Sequence, residues 1–369
     1  MKRISAFICL VPLMGILLST AVLGVDLSIP QADTVGIPEL EASIPDSARD
    51  VLGDVSVDQV LNGENILDRL LEKTKGELRD VLTAGVRNAA AVMMIAILCA
   101  CAGQFSSDMK IPDFVPLAGM LAVAAVSLGD ATSFVAMSRK AIYELSDFSK
   151  VLLPSMAAAS AAAGQVAAGA AKYAATALFM DMLITAGSDL VFPMVCLYAG
   201  TAVADAALGN GALGMAVKLI KWLCNTMLTL LVMAFTAYLS ISGAIAGSAD
   251  AVAYRAAKAG LSTVLPVVGG IISDAAGAVA AGASILKGTV GVFGLVAVLC
   301  VCLIPILTLG VRYLLFKAVA GLAGAMCAPA MSKLIGDIGT VYGMLLALVG
   351  SGAVMMFISV ISGMGAVSG

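Results

Sequence analysis

VGVFGLVAVLCVCLIPILTL, residues 290–309, runs for twenty positions without a charge. A helix of that length rises about 30 Å, the thickness of a bilayer's hydrocarbon core, and in lipid a segment must satisfy its own backbone hydrogen bonds to cross. The run therefore reads as a membrane-spanning helix. Further windows of the same kind lie at 84–103, 115–137, 223–246 and 341–361. The whole chain agrees: of 369 residues, 61% are hydrophobic and 12% charged, with a mean hydropathy of +1.04, whereas a soluble protein carries about 25% charged residues. The expected fold class is all-α, a polytopic integral membrane helical bundle.

Just before this span lies ADAVAYRAAKAGLSTVLPVVGGIISDAAGAVAAGASILKGTVG, residues 249–291. Its charges Asp250, Arg255, Lys258, Asp274 and Lys287 are unusual between two apolar spans, and Pro266, Gly269 and Gly270 interrupt its middle. Read as a helix, Asp250, Tyr254, Lys258 and Ser262 form one i,i+4 row, while Val252, Ala256, Leu261 and Leu265 line the other side. The part after the break is rich in Ala and Gly, which lets neighbouring helices approach closely. The expectation is a pair of half-buried amphipathic helices around a bend, re-entrant and central to the bundle.

Further outward the reading becomes less regular. The segment SRKAIYELSDFSK, 138–150, reads as a short amphipathic piece at a membrane surface, with Ile142, Leu145 and Phe148 on its apolar side. Lys218, Lys221 and Trp222 read as an interfacial anchor, and Arg312 and Lys317 as an amphipathic connector. Residues 151–208 resist division into spans, because Lys172, Asp181, Asp189 and Asp205 interrupt an apolar run. Ionisable groups at membrane depth are expensive. These four therefore face other protein, the interface or a water-filled path.

At the N-terminus, Lys2 and Arg3 precede the apolar run Ile4 to Leu23, the pattern of a signal peptide over residues 1–24, with a retained anchor as the rival. Residues 25–83 are acidic and are expected to form a short exported segment, leaving 84–369 as the multi-span domain. Histidine is absent, which excludes a Ser-His-Asp triad and histidine metal ligation. The eight cysteines sit mostly in apolar runs and behave as small hydrophobes; no CxxC, HExxH or phosphate-binding loop occurs. No catalytic, cofactor or metal residues are assigned, an enzyme is not expected, and a net charge of −3 argues against a nucleic-acid partner.

The block Arg255-x-x-Lys258, Pro266-Val-Val-Gly269, Asp274-Ala275, Ala283-Ser284-x-Leu286-Lys287 and Val290-Gly291 resembles the signature of the stage III sporulation protein AE family. The similarity continues through Phe316-Lys317-Ala318, Ala328-Pro329 and the run Met355 to Ser359. The resemblance implies work in endospore development, in the mother-cell membrane around the forespore. It further implies a channel or secretion-like complex with other stage III sporulation membrane proteins, an oligomer being open. A structural subunit would act by helix packing, through residues such as Arg255, Lys258, Pro266, Gly269, Asp274 and Lys287. The alternative is a permease whose solute path is lined by Lys172, Asp181, Asp189, Asp205 and the 249–291 stretch.

Overall fold

Backbone groups that cannot bond to water are satisfied within a helix, and long apolar runs accordingly become long helices. In the computed structural model the described residues are 42–52, 66–105, 114–208, 211–264 and 269–364. They are helical apart from short turns, with no strand among them. Within these ranges the side chains of 51–52, 66–73, 103–105, 114, 128, 130, 243–251 and 253–286 are not described. The expected signal peptide, residues 1–24, lies outside the described residues.

The elements are α1 (Asp46–Leu52), α2 (Ile66–Phe105), α3 (Phe114–Ala162), α4 (Val166–Thr185), a π-helical segment (Ala186–Val191), α5 (Phe192–Leu208), α6 (Gly214–Val264), α7 (Gly269–Met326) and α8 (Pro329–Met364). Among the described residues six helical stretches are long and apolar enough to cross a membrane: Thr74–Ala102, Val115–Ala162, Val166–Leu208, Gly214–Ser242, Lys287–Met326 and Pro329–Met364. The chain is thus a multi-pass membrane protein.

Local chemistry explains the breaks. α3 ends where Gly164 adopts φ 83°, a left-handed conformation that favours glycine, and Gly211 at φ 67° makes the turn into α6. Pro193 has no N–H, so the carbonyl of Asp189 loses its usual i+4 donor. Just before that point the helix widens, and the Phe192 N–H reaches back five residues to the Gly187 carbonyl.

α8 is the axis of the bundle. Most of its span is buried inside the protein, 78%, against 67% for the span of α7 and 22% for those of α2 and α6, which leaves the latter two on the periphery. Its partners can be read off residue by residue. α7 runs antiparallel to it, with Gly291 against Met364, Tyr313 against Gly343 and Phe316 against Gly339. α3 runs parallel to it: Phe134 stacks edge-on against Tyr342 at 5.4 Å, Leu145 faces Gly352 and Met156 faces Gly363. α2 follows the direction of α7, since Gly85 meets Val311 and Leu315 while the Ala96 carbonyl accepts from Cys327 Sγ at 3.4 Å. Burial, with smaller contributions from Cys99 and Cys101, pushes the Cys327 thiol above its ordinary range.

Several sequence expectations change here. Residues 138–150 are not a separate surface piece but the interior of the 49-residue helix α3. Its apolar side was read correctly, since Ile142, Leu145 and Phe148 are all buried. Arg312 and Lys317 are not in a connector: both lie inside the 58-residue α7, where Arg312 is buried over the Phe134 ring at 4.9 Å. Hydropathy windows stop at such residues, but an aromatic face shelters the guanidinium and the helix continues. The two helices expected around Pro266 exist, yet each is the continuation of a neighbouring span, because α6 is unbroken through Val264 and α7 from Gly269. Likewise α2 runs unbroken through the expected boundary at residue 83. Part of the acidic segment is docked: α1 packs against α2 and α7, and Ala48 is fully buried.

Candidate functional site

The arrangement of polar groups follows from the register of α4 and α5 along α8. Lys172 Nζ donates to the Ser362 carbonyl, the hydroxyls of Thr176 and Ser359 are 2.5 Å apart, and Gly187 lies against Leu348. Further on, the Tyr198 hydroxyl donates to Asp337 Oδ1 at 2.8 Å and Asp205 pairs with Lys333. The two partners run strictly antiparallel, so these contacts sort themselves by depth.

One end of α8 gathers Asp205, Lys333, Asp337 and Lys317. Asp205 is 3% exposed; besides the Lys333 ammonium it accepts the Leu213 N–H at 2.9 Å, closing the turn into α6. Lys317 Nζ donates to the Gly336 carbonyl at 2.5 Å and to Thr340 Oγ1 at 2.9 Å. The other end gathers Lys172, Thr176, Ser359 and Lys287, the last buried and donating to Gln165 Oε1 at 2.8 Å. From Asp337 to Ser359 is 22 helical steps, about 33 Å, close to the thickness of the hydrocarbon core. Between Ile338 and Met364 α8 carries no charged residue.

A third polar group does not sit at either end. Arg139, Lys140, Asp147 and Lys150 form an exposed stripe on α3, with Glu144 half-buried beside it. Lys140 pairs with Glu144 at 3.4 Å and Lys150 with Asp147 at 2.8 Å, and the side chains of Lys140, Asp147 and Lys150 are 63%, 71% and 69% exposed. The contacts of Phe134, Leu145 and Met156 with α8 place this stripe at the level of residues 342–363, alongside the apolar, buried part of that helix. The neighbouring flank belongs to α4 and the π segment: Arg139 lies 5.0 Å over the Phe192 ring, and the hydroxyls of Tyr143 and Ser188 are 3.2 Å apart. Asp181 and Asp189 are exposed on that same stretch. A single Arg, Lys or Asp facing lipid at mid-depth costs about 2.5–3.5 kcal/mol on insertion scales. A flank with six of them is not a lipid-facing surface.

Of the residues singled out from sequence, Lys172 and Lys287 are brought to one end, Asp205 to the opposite end, and Asp181 and Asp189 to the outer flank between. They do not converge on one path within a single chain. The side chains of Arg255, Lys258 and Asp274, together with Pro266, lie outside the described residues, and Gly269 is known only as the first residue of α7. Sequence reasoning passed over Lys333, Asp337, Tyr198 and Gln165. Lys333 is 128 positions from Asp205, and no local spacing connects them.

Fold and polar geometry together define the class: a six-span, all-helical membrane protein with an apolar axis, two polar ends and one charged flank. The family model of Stage III sporulation protein AE matches residues 48–366, and the chain belongs to that family, which makes it a sporulation membrane protein. Stage III sporulation protein AE of Bacillus subtilis (strain 168) is 25% identical over 183 residues, 49% of this chain and 46% of that protein. The match therefore spans about half the length of the curated relative. No solved structure matches the chain.

Proposed function

We propose that the chain is a membrane subunit of the channel or secretion-like complex joining mother cell and forespore, acting through helix packing and contacts with other stage III sporulation membrane proteins. The observation that carries this is the charged flank of Arg139, Lys140, Asp147, Lys150, Asp181 and Asp189 at the depth of the apolar axis. Such a surface is stable in a membrane only when another protein or a water-filled lumen covers it. A chain that works alone would not present it outward.

Family membership supports the sporulation role, and charge supports an orientation. The Asp205 end collects Lys317 and Lys333, with Lys218 and Lys221 close by in the first turns of α6. By the positive-inside tendency that end faces the mother-cell cytosol. α2 begins and α8 finishes at the opposite end, so the N-terminal acidic segment is exported, in the mother-cell membrane around the forespore.

The test is cross-linking and co-purification of the full chain from sporulating cells, comparing the native protein with a variant carrying Arg139→Ala, Lys140→Ala, Asp181→Ala and Asp189→Ala. Recovery of the native chain in an assembly that the variant fails to join supports the reading. Solute movement by the purified chain alone in vesicles would replace it with the permease.

A further inference from the structure

Two lysines meet at the end of the bundle where α8 finishes, and neither has a carboxylate partner among the described residues. Lys287 is 1% exposed, and its recorded hydrogen bond goes to a neutral amide, Gln165 Oε1, at 2.8 Å. Lys172 is half-buried and donates to a neutral carbonyl, that of Ser362. The two ammonium groups are near enough to repel one another. An ammonium has three donors, and burying a cation without a counter-charge is among the most costly arrangements in a protein. The acids on the same helices are distant. Asp274 is thirteen residues up α7 from Lys287, about 20 Å, and Asp181 is nine residues along α4 from Lys172, about 13 Å.

Beside the pair is a cleft lined by Ser160, Gly169, Lys172, Tyr173, Ser359 and Gly363. Its walls are held open by glycine: a Cβ on Gly169 would come within 2.9 Å of Ser160 Cβ, and one on Gly363 within 2.6 Å of Met156 Cε. Ser160 and Ser359 bring buried hydroxyls to its floor. Lys172 lines the cleft directly, and Lys287 stands behind it as a second positive charge. The set is complementary to a tetrahedral oxyanion, with an ammonium to neutralise it and hydroxyls to orient it.

We infer that Lys172 and Lys287 form a binding site for a phosphate group. The site lies where the span meets the headgroup layer, so the phosphate belongs either to an anionic phospholipid or to a soluble ligand. The inference does not rest on the assembly reading, and it is tested on the isolated full chain.

Purified protein in neutral detergent is offered phosphatidylglycerol, with phosphatidylcholine as control, and retained lipid is counted by native mass spectrometry. In parallel, thermal unfolding is followed against inorganic phosphate, with chloride at equal ionic strength as control. The expected result is binding that weakens roughly ten- to a hundredfold in Lys172→Gln and in the Lys172→Gln/Lys287→Gln pair, and is retained in Lys172→Arg. Retention of phosphatidylglycerol assigns the site to lipid, and a phosphate-specific shift assigns it to a soluble ligand. Wild type indistinguishable from Lys172→Gln in both arms overturns the site. Because Lys172→Gln alters only the half-exposed member, it remains informative if the double variant does not fold.

Discussion

Replacing Lys333 by Ala is expected to destabilise the protein more than replacing Asp205 by Asn, although the two changes break the same ion pair. The asymmetry comes from burial. The Asp205 side chain is 2% exposed and that of Lys333 is 47% exposed. Without Lys333, the carboxylate keeps the Leu213 N–H at 2.9 Å but remains a buried anion. Losing one partner of a fully buried pair costs about 3–5 kcal/mol, and solvent reaching Lys333 lowers the expected cost here to about 2–3 kcal/mol. Asp205→Asn removes the charge, lets the ammonium turn to water and keeps an acceptor for Leu213, so about 1 kcal/mol is expected. The double variant should then cost less than the sum, with a coupling of about 1 kcal/mol or more. Thermal unfolding in detergent, read by the single tryptophan, Trp222, measures all three. Equal and additive costs for the two single changes would refute the argument, because they would mean that the pair is not coupled.

Three other outcomes follow from the same geometry. A Cβ on Gly294 would come within 2.7 Å of Leu152 Cδ2, so Gly294→Leu should overpack the α3–α7 contact by about 1–3 kcal/mol, seen as a lower unfolding temperature. A cysteine at Lys140 in a cysteine-free background should react with a water-soluble maleimide in the purified chain and be protected in the assembled complex; equal labelling in both would remove the charged flank as an assembly surface. Cysteines at Lys218 and Lys333 should share one sidedness, opposite to that of a cysteine at Lys172, when intact cells are labelled with an impermeant reagent.

The spans were legible because a twenty-residue uncharged run has few ways to satisfy its backbone in lipid. The apolar side of 138–150 was legible for the same kind of reason, since Ile142, Leu145 and Phe148 recur at helical spacing. Its depth was not. Hydropathy averages Arg139, Lys140 and Asp147 into a polar window and assigns them to a surface, whereas depth is set by what α3 packs against, namely Tyr342 and Gly352 some two hundred positions away. Arg312 was misplaced likewise, because the aromatic ring that shelters it, Phe134, belongs to another helix. For the site, the sequence reading marked Lys172, Asp205 and Lys287 as costly, but their partners Ser362, Lys333 and Gln165 are remote in the chain and carry no local signature. The family signal lay mainly in 249–291, while much of the polar geometry described here lies outside that stretch.

The wide turn at Ala186–Val191 sets the rotational phase of everything after it. An α-helix turns about 100° per residue, and the π segment holds roughly one residue more than a regular turn would. Deleting a single residue there would let the helix close into regular α geometry and swing α5 by about 100°. Tyr198 would lose Asp337, and Asp205 would rotate away from Lys333. That shortening would leave every apolar window and every charge in place, and hydropathy would not detect it. A third of a turn at the middle of one helix thus decides whether the carboxylate at its end faces its cation or the lipid.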